Sequence, residues 1–337
     1  MPTADELYQQ GRNYWNLRTE EGYKEALLCY DRALVENPNF KLAYAGKADV
    51  YSFMAFHGLV NTDKGYRDAQ KEVDKIPTTG VDDRVLAGKF TSQGWIDLYY
   101  KWDISTAQES FDDALDIYPN YALAHLWHKD SLLIEGRWTE AIQKAEACYN
   151  IANLVGCPEV PAKVGLKFLL VTCIIAQNDA KTSQYYNQAE DDYPCDPFRH
   201  DMMSRAHVQG VPYDYDQALA KFTEAAGGWV NETFKKDVWG IIYAFSGDRI
   251  NASRIREELE KIDNFPQSRI ALIHRGLGDY DDALACLLRA EKKKDPQLLY
   301  LKNFPEWQHK PGESFRDDLD WDALINRLPI NSNIPGS

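Results

Sequence analysis

Small and aromatic residues recur along this chain at a fixed interval, with polar residues filling the positions between them. Ala26, Tyr30 and Ala33 stand at i, i+4 and i+7 and are followed by Asn37-Pro38; Ala107, Phe111 and Ala114 repeat the set and are followed by Tyr118-Pro119. Steps of four and seven share one helix face, so each set marks a helix that packs on that side, and the proline marks its end. The frame returns in weaker form near Ala141, Ala218 and Ala283. Ala107 to Ala141 and Ala218 to Ala252 are both 34 residues apart, and Ala252 to Ala283 is 31. That interval holds two antiparallel helices and their turns. Glu135-Gly136-Arg137-Trp138, Ser246-Gly247-Asp248 and Leu277-Gly278-Asp279-Tyr280 place Gly or Asp where one helix ends and the next is capped.

Eight such pairs fit between Asp5 and Asp295. Ala26 and Ala107 are 81 residues apart. This gap predicts an expanded, irregular unit over about 41–80, with helices from Ala43 to Phe56 and from Asp68 to Ile76 and an inserted connection around Phe56 to Asp63. A degenerate unit is expected over about 158–194, with helices from Val164 to Ala176 and from Thr182 to Asp192, closed by Tyr193-Pro194. The repeat frame therefore covers 1–295. Residues 296–330, from Leu298-Leu299-Tyr300-Leu301 to Leu328, read as a helical cap for the last repeat, and 331–337 as a disordered tail. Alternating apolar runs bounded by turns are missing from the sequence, so few or no strands are expected.

A helix-pair frame of about 34 residues is that of the tetratricopeptide (TPR) repeat. The expected fold class is all-α: a right-handed superhelical TPR solenoid of about eight antiparallel helix pairs with a C-terminal cap. Other stretches carry a closer resemblance: Tyr14-Trp15-Asn16-Leu17-Arg18-Thr19, Ala43-Tyr44-Ala45-Gly46-Lys47-Ala48-Asp49, Tyr99-Tyr100-Lys101-Trp102-Asp103 and Asn120 to Trp127. They resemble, in order along nearly the whole chain, the TPR region found behind bacterial winged-helix transcriptional activators, adenylate cyclases and serine/threonine kinases. The resemblance implies a sensing or docking surface whose output belongs to a separate N-terminal domain. Here the chain begins in the first repeat, at Glu6-Leu7-Tyr8, so that output is not expected of it.

Charge narrows the partners. The formal net charge is −14, and the one dense basic run is Lys292-Lys293-Lys294, so no nucleic-acid surface is expected. The polar start, Met1 to Glu6, is no signal peptide, and the longest apolar run, Gly165 to Ala176, contains Lys167 and is too short to span a bilayer. A cytoplasmic protein without membrane contact is expected. The six cysteines show no CxxC or zinc-type spacing and read as reduced core residues, although Cys157-Pro158 follows a glycine in a loop that would expose a thiol.

No nucleophile or phosphate-loop motif occurs, so no catalytic residue, cofactor or metal is expected. His125 and His128, at i,i+3 beside Asp130, would begin a metal site, but packing is the simpler use. The acidic triplet Glu190-Asp191-Asp192 and Asp214, Asp216, Asp281 and Asp282 fall at helix ends, where carboxylates cap. The first helix of each TPR pair lines the inner groove. Counting from the frame, groove candidates are Trp15, Asp49, Phe53, Tyr99, Tyr100, His125, Asp130, His207, Asp237 and Phe245. Aromatic anchors with polar groups suit an extended peptide of a protein partner, or a regulatory ligand. The expected function is a non-catalytic binding scaffold or sensor. The alternative is an aromatic-lined, acid- and histidine-containing pocket that binds or transforms a small molecule. Self-assembly as a homo-oligomer is a third possibility.

Overall fold

The computed structural model describes residues 2–193, 232–301, 307 and 319–329. Among them there are fifteen α-helices and no strand. They run α1 Ala4–Asn16, α2 Glu20–Glu36, α3 Leu42–Phe56, α4 Thr62–Asp74, α5 Asp83–Ile96, α6 Ile104–Ile117, α7 Ala122–Ile134, α8 Trp138–Ile151, α9 Ala162–Ile175 and α10 Asp179–Asp192. After the undescribed stretch come α11 Glu232–Ser246, α12 Arg249–Leu259, α13 Gln267–Leu277, α14 Tyr280–Lys292 and α15 Leu319–Arg327. The chain divides into two compact units: 1–133 with 137–169, and 134–136 with 170–337.

Within the first unit α1/α2, α3/α4 and α5/α6 are tightly packed pairs, and the first helices α1, α3 and α5 stack on one another. The second unit is built from the same kind of pair, α11/α12 and α13/α14, with α15 against α14. Five packed pairs are seen among the described residues, with α7, α8, α9 and α10 following one another between them; the expected pair around Ala218 lies outside the described residues. The marker alanines Ala26, Ala107, Ala141, Ala252 and Ala283 are all buried, as close helix approach requires.

Polar caps start the helices where the turns predict them. Thr3 and Glu6 form a reciprocal capping box on α1, with Glu6 N–H donating to Thr3 Oγ1 at 3.2 Å and Thr3 N–H to Glu6 Oε2 at 2.7 Å. Thr19, Asn61, Asp82 and Asp103 cap α2, α4, α5 and α6 in the same sense.

The second pair is more regular than its spacing suggests. The α4 helix begins at Thr62 rather than Asp68, because the Asn61 side chain accepts the Lys64 N–H at 3.0 Å. Its inward face, Gly65, Tyr66, Ala69 and Val73, supplies the buried small residue at Ala69, which the sequence frame passes over because Tyr66 precedes it instead of following.

Glycines seat the aromatic knobs. A Cβ on Gly11 of α1 would lie 2.4 Å from Tyr30, and one on Gly46 of α3 would lie 2.7 Å from the same ring. In the third pair a Cβ on Gly94 would meet Phe111 at 2.6 Å and the Ala107 carbonyl at 3.0 Å.

Beyond Ile96, α5 runs on as a π-helical turn, Asp97–Lys101, closed by Trp102 in the left-handed conformation (φ 61°). Such wide turns shift the side chains that follow them off the α-helical register. Tyr99 thereby joins the aromatic residues of α3, while Tyr100 turns away to stack on Tyr66 of α4 at 5.3 Å.

At the C-terminus, Trp307 and Trp321 stack at 6.3 Å, Leu324 and Leu328 are buried, and Arg327 pairs with Glu291 of α14 at 2.6 Å.

Gly94→Ala is expected to lower unfolding free energy by about 1–3 kcal/mol in a urea titration, because neither the Phe111 ring nor the α6 backbone has room to move.

Candidate functional site

The first helices of four successive pairs each send an aromatic ring to one place. Trp15 of α1 meets Phe53 of α3 edge-on at 5.4 Å; Phe53 stacks on Trp95 of α5 at 4.9 Å; Trp127 of α7 lies 4.5 Å from Trp95 and 5.9 Å from Phe53. Tyr99 closes on Trp95 at 4.4 Å. Phe56 and His57, three and four residues beyond Phe53, lean on the same cluster and are half-exposed, so they form its rim.

Arg18 completes the rim. Its guanidinium carbon stands 3.6 Å from the Trp15 ring centroid and 4.5 Å from that of Phe53. All three guanidinium nitrogens are covered, and the Tyr23 hydroxyl is the polar group that answers them. Burial pushes the group's pKa down, and the nearby Tyr23 hydroxyl favours its charge. Arg18 also adopts φ 56°, a left-handed conformation that a non-glycine residue occupies at a cost of about 1 kcal/mol or more. Around it the indole N–H groups of Trp15, Trp95 and Trp127 and the hydroxyls of Ser52 and Thr91 are likewise buried without partners. The three indoles are therefore donors without acceptors, while the Asp130 carboxylate bonds to the Tyr99 side chain of the same cluster.

A charged network adjoins these rings. Arg12 lies beside Trp15, with its guanidinium carbon 5.1 Å from the indole centroid, and is fully buried. Its Nη1 donates to Asp49 Oδ2 of α3 at 2.7 Å, its Nε donates to the Tyr8 hydroxyl at 2.9 Å, and Ser92 Oγ of α5 donates to Asp49 Oδ1 at 2.7 Å. Burial raises the Asp49 pKa, and the Arg12 charge opposes the rise.

The second carboxylate comes from the connection between α8 and α9. Arg84 of α5 aims Nη2 and Nε at Glu159 Oε1, at 2.6 and 3.2 Å, and the Tyr8 hydroxyl approaches the same oxygen at 3.5 Å. Cys157 Sγ donates to Glu159 Oε2 at 3.0 Å. Burial works against ionisation of Glu159, but Arg12 and Arg84 outweigh it and hold the carboxyl below its ordinary range. The same burial and the neighbouring Glu159 push the Cys157 thiol up to about 12, so the loop cysteine is not a reactive thiolate in this setting. Asn16 Nδ2 donates to the Pro158 carbonyl at 3.1 Å, and Val160 is fully buried.

Of the residues singled out from the repeat frame, Trp15, Phe53 and Tyr99 meet in the aromatic cluster, as its covered wall, and Asp49 anchors the network beside it. Tyr100 stands apart, bonded to Asp63. His125 Nε2 bonds to the Pro119 carbonyl at 2.9 Å, and Asp130 pairs with Lys129. Asp237 and Phe245 belong to the second unit, where Asp237 is paired with Arg269 at 2.7 Å and Phe245 lies under Arg275. His207 lies outside the described residues.

His128 stacks on Phe111 at 5.7 Å, and among the described residues no group of three or more potential metal ligands converges. The repeat frame misses Arg12, Arg18, Arg84, Trp95 and Glu159. Arg12 carried a signal: it sits four residues after Tyr8 and three before Trp15, on the inward face. Glu159, in a loop between two prolines, carried none.

No family model matches the sequence, and no curated protein matches it. Among solved structures, the crystal structure of yeast Tom70 superposes with a TM-score of 0.51 at 14% identity, covering 88% of this chain and 63% of that one. At that identity the likeness speaks for the fold alone. Together with the helix pairs it defines the class: an all-α solenoid of the TPR type. No described helix is long and apolar enough to cross a membrane.

Asp49→Asn leaves the Arg12 charge buried with half its compensation removed; a loss of about 3–5 kcal/mol is expected by urea denaturation. A second expectation concerns pH. Burial lowers the His128 pKa from 6.5 to about 3, so as pH falls the unfolded chain takes up this proton first. The stability tied to neutral His128 is complete above pH ~7 and drains away between there and pH ~3. His128→Phe, which keeps a ring against Phe111, should flatten the decline of Tm between pH 7 and 4.

Proposed function

We propose that this chain is a protein-binding scaffold of the TPR type that takes an extended segment of a partner protein along the face built by α1, α3, α5 and α7. The observation that carries this reading is Arg18. A glycine would serve its left-handed position without strain, yet the chain keeps an arginine there and lays the guanidinium over Trp15 and Phe53, beside the indole N–H groups of Trp15, Trp95 and Trp127, which have no acceptor. Strain retained at a donor-rich aromatic rim fits a place where binding outweighs local stability. Donors without acceptors suit a ligand that brings acceptors, and an extended peptide brings a carbonyl at every residue. The resemblance to sensing and docking regions supports the same role.

The test separates recognition from packing. Peptides of about twelve residues selected on phage against the full chain should bind wild type, and Arg18→Gly should weaken them at least tenfold while leaving Tm unchanged or raised, because glycine relieves the backbone. Equal binding by Arg18→Gly assigns the rim to packing. Extra mass of a few hundred daltons on the native protein, lost on denaturation, would instead favour the small-molecule reading.

A further inference from the structure

The groove between α1 and α5 is not bare in this chain. Residues Cys157–Val160 lie in it, and they are held as a groove holds a bound peptide. One main-chain carbonyl, that of Pro158, accepts from Asn16 Nδ2 at 3.1 Å. One carboxylate, Glu159, is gripped by Arg84 at 2.6 Å and approached by Tyr8. One apolar side chain, Val160, is fully buried. Cys157 is extended, with φ −111° and ψ 119°. The carbonyl and the carboxylate are two of the kinds of contact by which peptide segments are recognised: backbone for affinity and a charge for register.

The attachment is of a kind that lets go. Among the described residues, no backbone–backbone hydrogen bond ties 157–160 to the helices, whereas every helix in the unit is held by a full ladder. The segment follows a π-helical turn, Ala152–Gly156, in which Leu154 is 81% exposed, and it ends at Pro161, whose carbonyl starts α9. A stretch fixed by side chains between such flanks opens at lower free energy than the helices it touches. What it leaves behind on opening is Arg84 and Tyr8 without their carboxylate, and Asn16 without its carbonyl.

Resting on the scaffold reading above, we infer that the groove of α1 and α5 is a receptor for a glutamate-bearing segment of a partner, and that the chain's own Cys157–Val160 is its resident occupant, displaced when the partner binds. Charge complementarity names the occupant: Arg84, with Arg12 behind it, receives a carboxylate, and Asn16 receives the carbonyl of the residue before it. A tethered occupant competes at an effective concentration on the order of millimolar. It therefore reduces the apparent affinity of any partner to the intrinsic affinity multiplied by the fraction of time the groove is open.

The probe is a fluorescent peptide with the sequence of Leu154 to Lys163, Cys157 replaced by Ser, together with a version in which its glutamate is Gln. In fluorescence anisotropy the full-length Glu159→Gln chain, whose own segment is loosened, should bind the glutamate peptide at least tenfold more tightly than wild type does, and at least tenfold more tightly than it binds the Gln peptide. Equal binding by the two chains, or to the two peptides, overturns the inference. Hydrogen–deuterium exchange on wild type stands independently of whether that variant folds. A rise in exchange at Cys157, Glu159 and Val160 when a phage-selected peptide is added supports displacement; exchange that the peptide leaves unchanged makes the segment a permanent strap and overturns it. Failure of the scaffold reading looks different, since no phage-selected peptide would then bind. If selected peptides bind without altering exchange at 157–160, the scaffold stands and this inference falls.

Discussion

Arg12 has its guanidinium out of reach of water between three helices, and a charge so placed tolerates few arrangements around it. Removing an ion from water is repaid only when hydrogen-bonding partners surround it closely. Asp49 supplies one from α3 and Tyr8 another from its own helix, while Ser92 of α5 fixes the carboxylate that answers the charge. The Glu159 carboxylate, held low by Arg12 and Arg84 together, ties in the connection after α8. Generic apolar packing would let first helices slide past one another; this chain of partners sets their register. The aromatic cluster beside it depends on that register, since Trp15, Phe53 and Trp95 meet only if α1, α3 and α5 keep their axial offset.

Two kinds of surface thus lie side by side on the first unit. Around Trp15, Trp95 and Trp127 the helices hold indole donors that nothing answers; around Arg84 they offer donors that the chain answers itself with Glu159. The contrast is chemical as well as positional. The first is ringed by half-exposed Arg18, Phe56 and His57, the second is sealed by a loop.

Legibility followed local period. Helix pairs, their caps and the buried alanines were readable because a helix face repeats every three to four residues and its end is written in Asn, Asp, Gly and Pro. Ala69 escaped because its aromatic neighbour, Tyr66, comes before it rather than four residues after, so the frame broke although the packing did not. The frame places Trp15, Phe53 and Tyr99 on the groove side, but nothing in the chain's periodicity says that they touch one another or lie covered. Tyr99 and Tyr100 are adjacent in sequence and part ways only through a π-helical turn, a feature with no compositional mark. Arg84 and Glu159 are 75 residues apart, and pairs at that separation are decided by how successive repeats stack.

Repeat proteins are often treated as sums of units that each close on themselves, with weaker terms between neighbours. Tyr30 departs from that scheme. The ring is borne by the second helix of the first pair, yet it fills the hollow at Gly46 in the second pair as closely as the one at Gly11 in its own. One side chain thus completes two cores. The first pair cannot fray and leave its neighbour intact, since its departure opens a ring-sized void along α3; the two pairs melt as one cooperative block, and the start of the chain is as much a part of the interior as its middle.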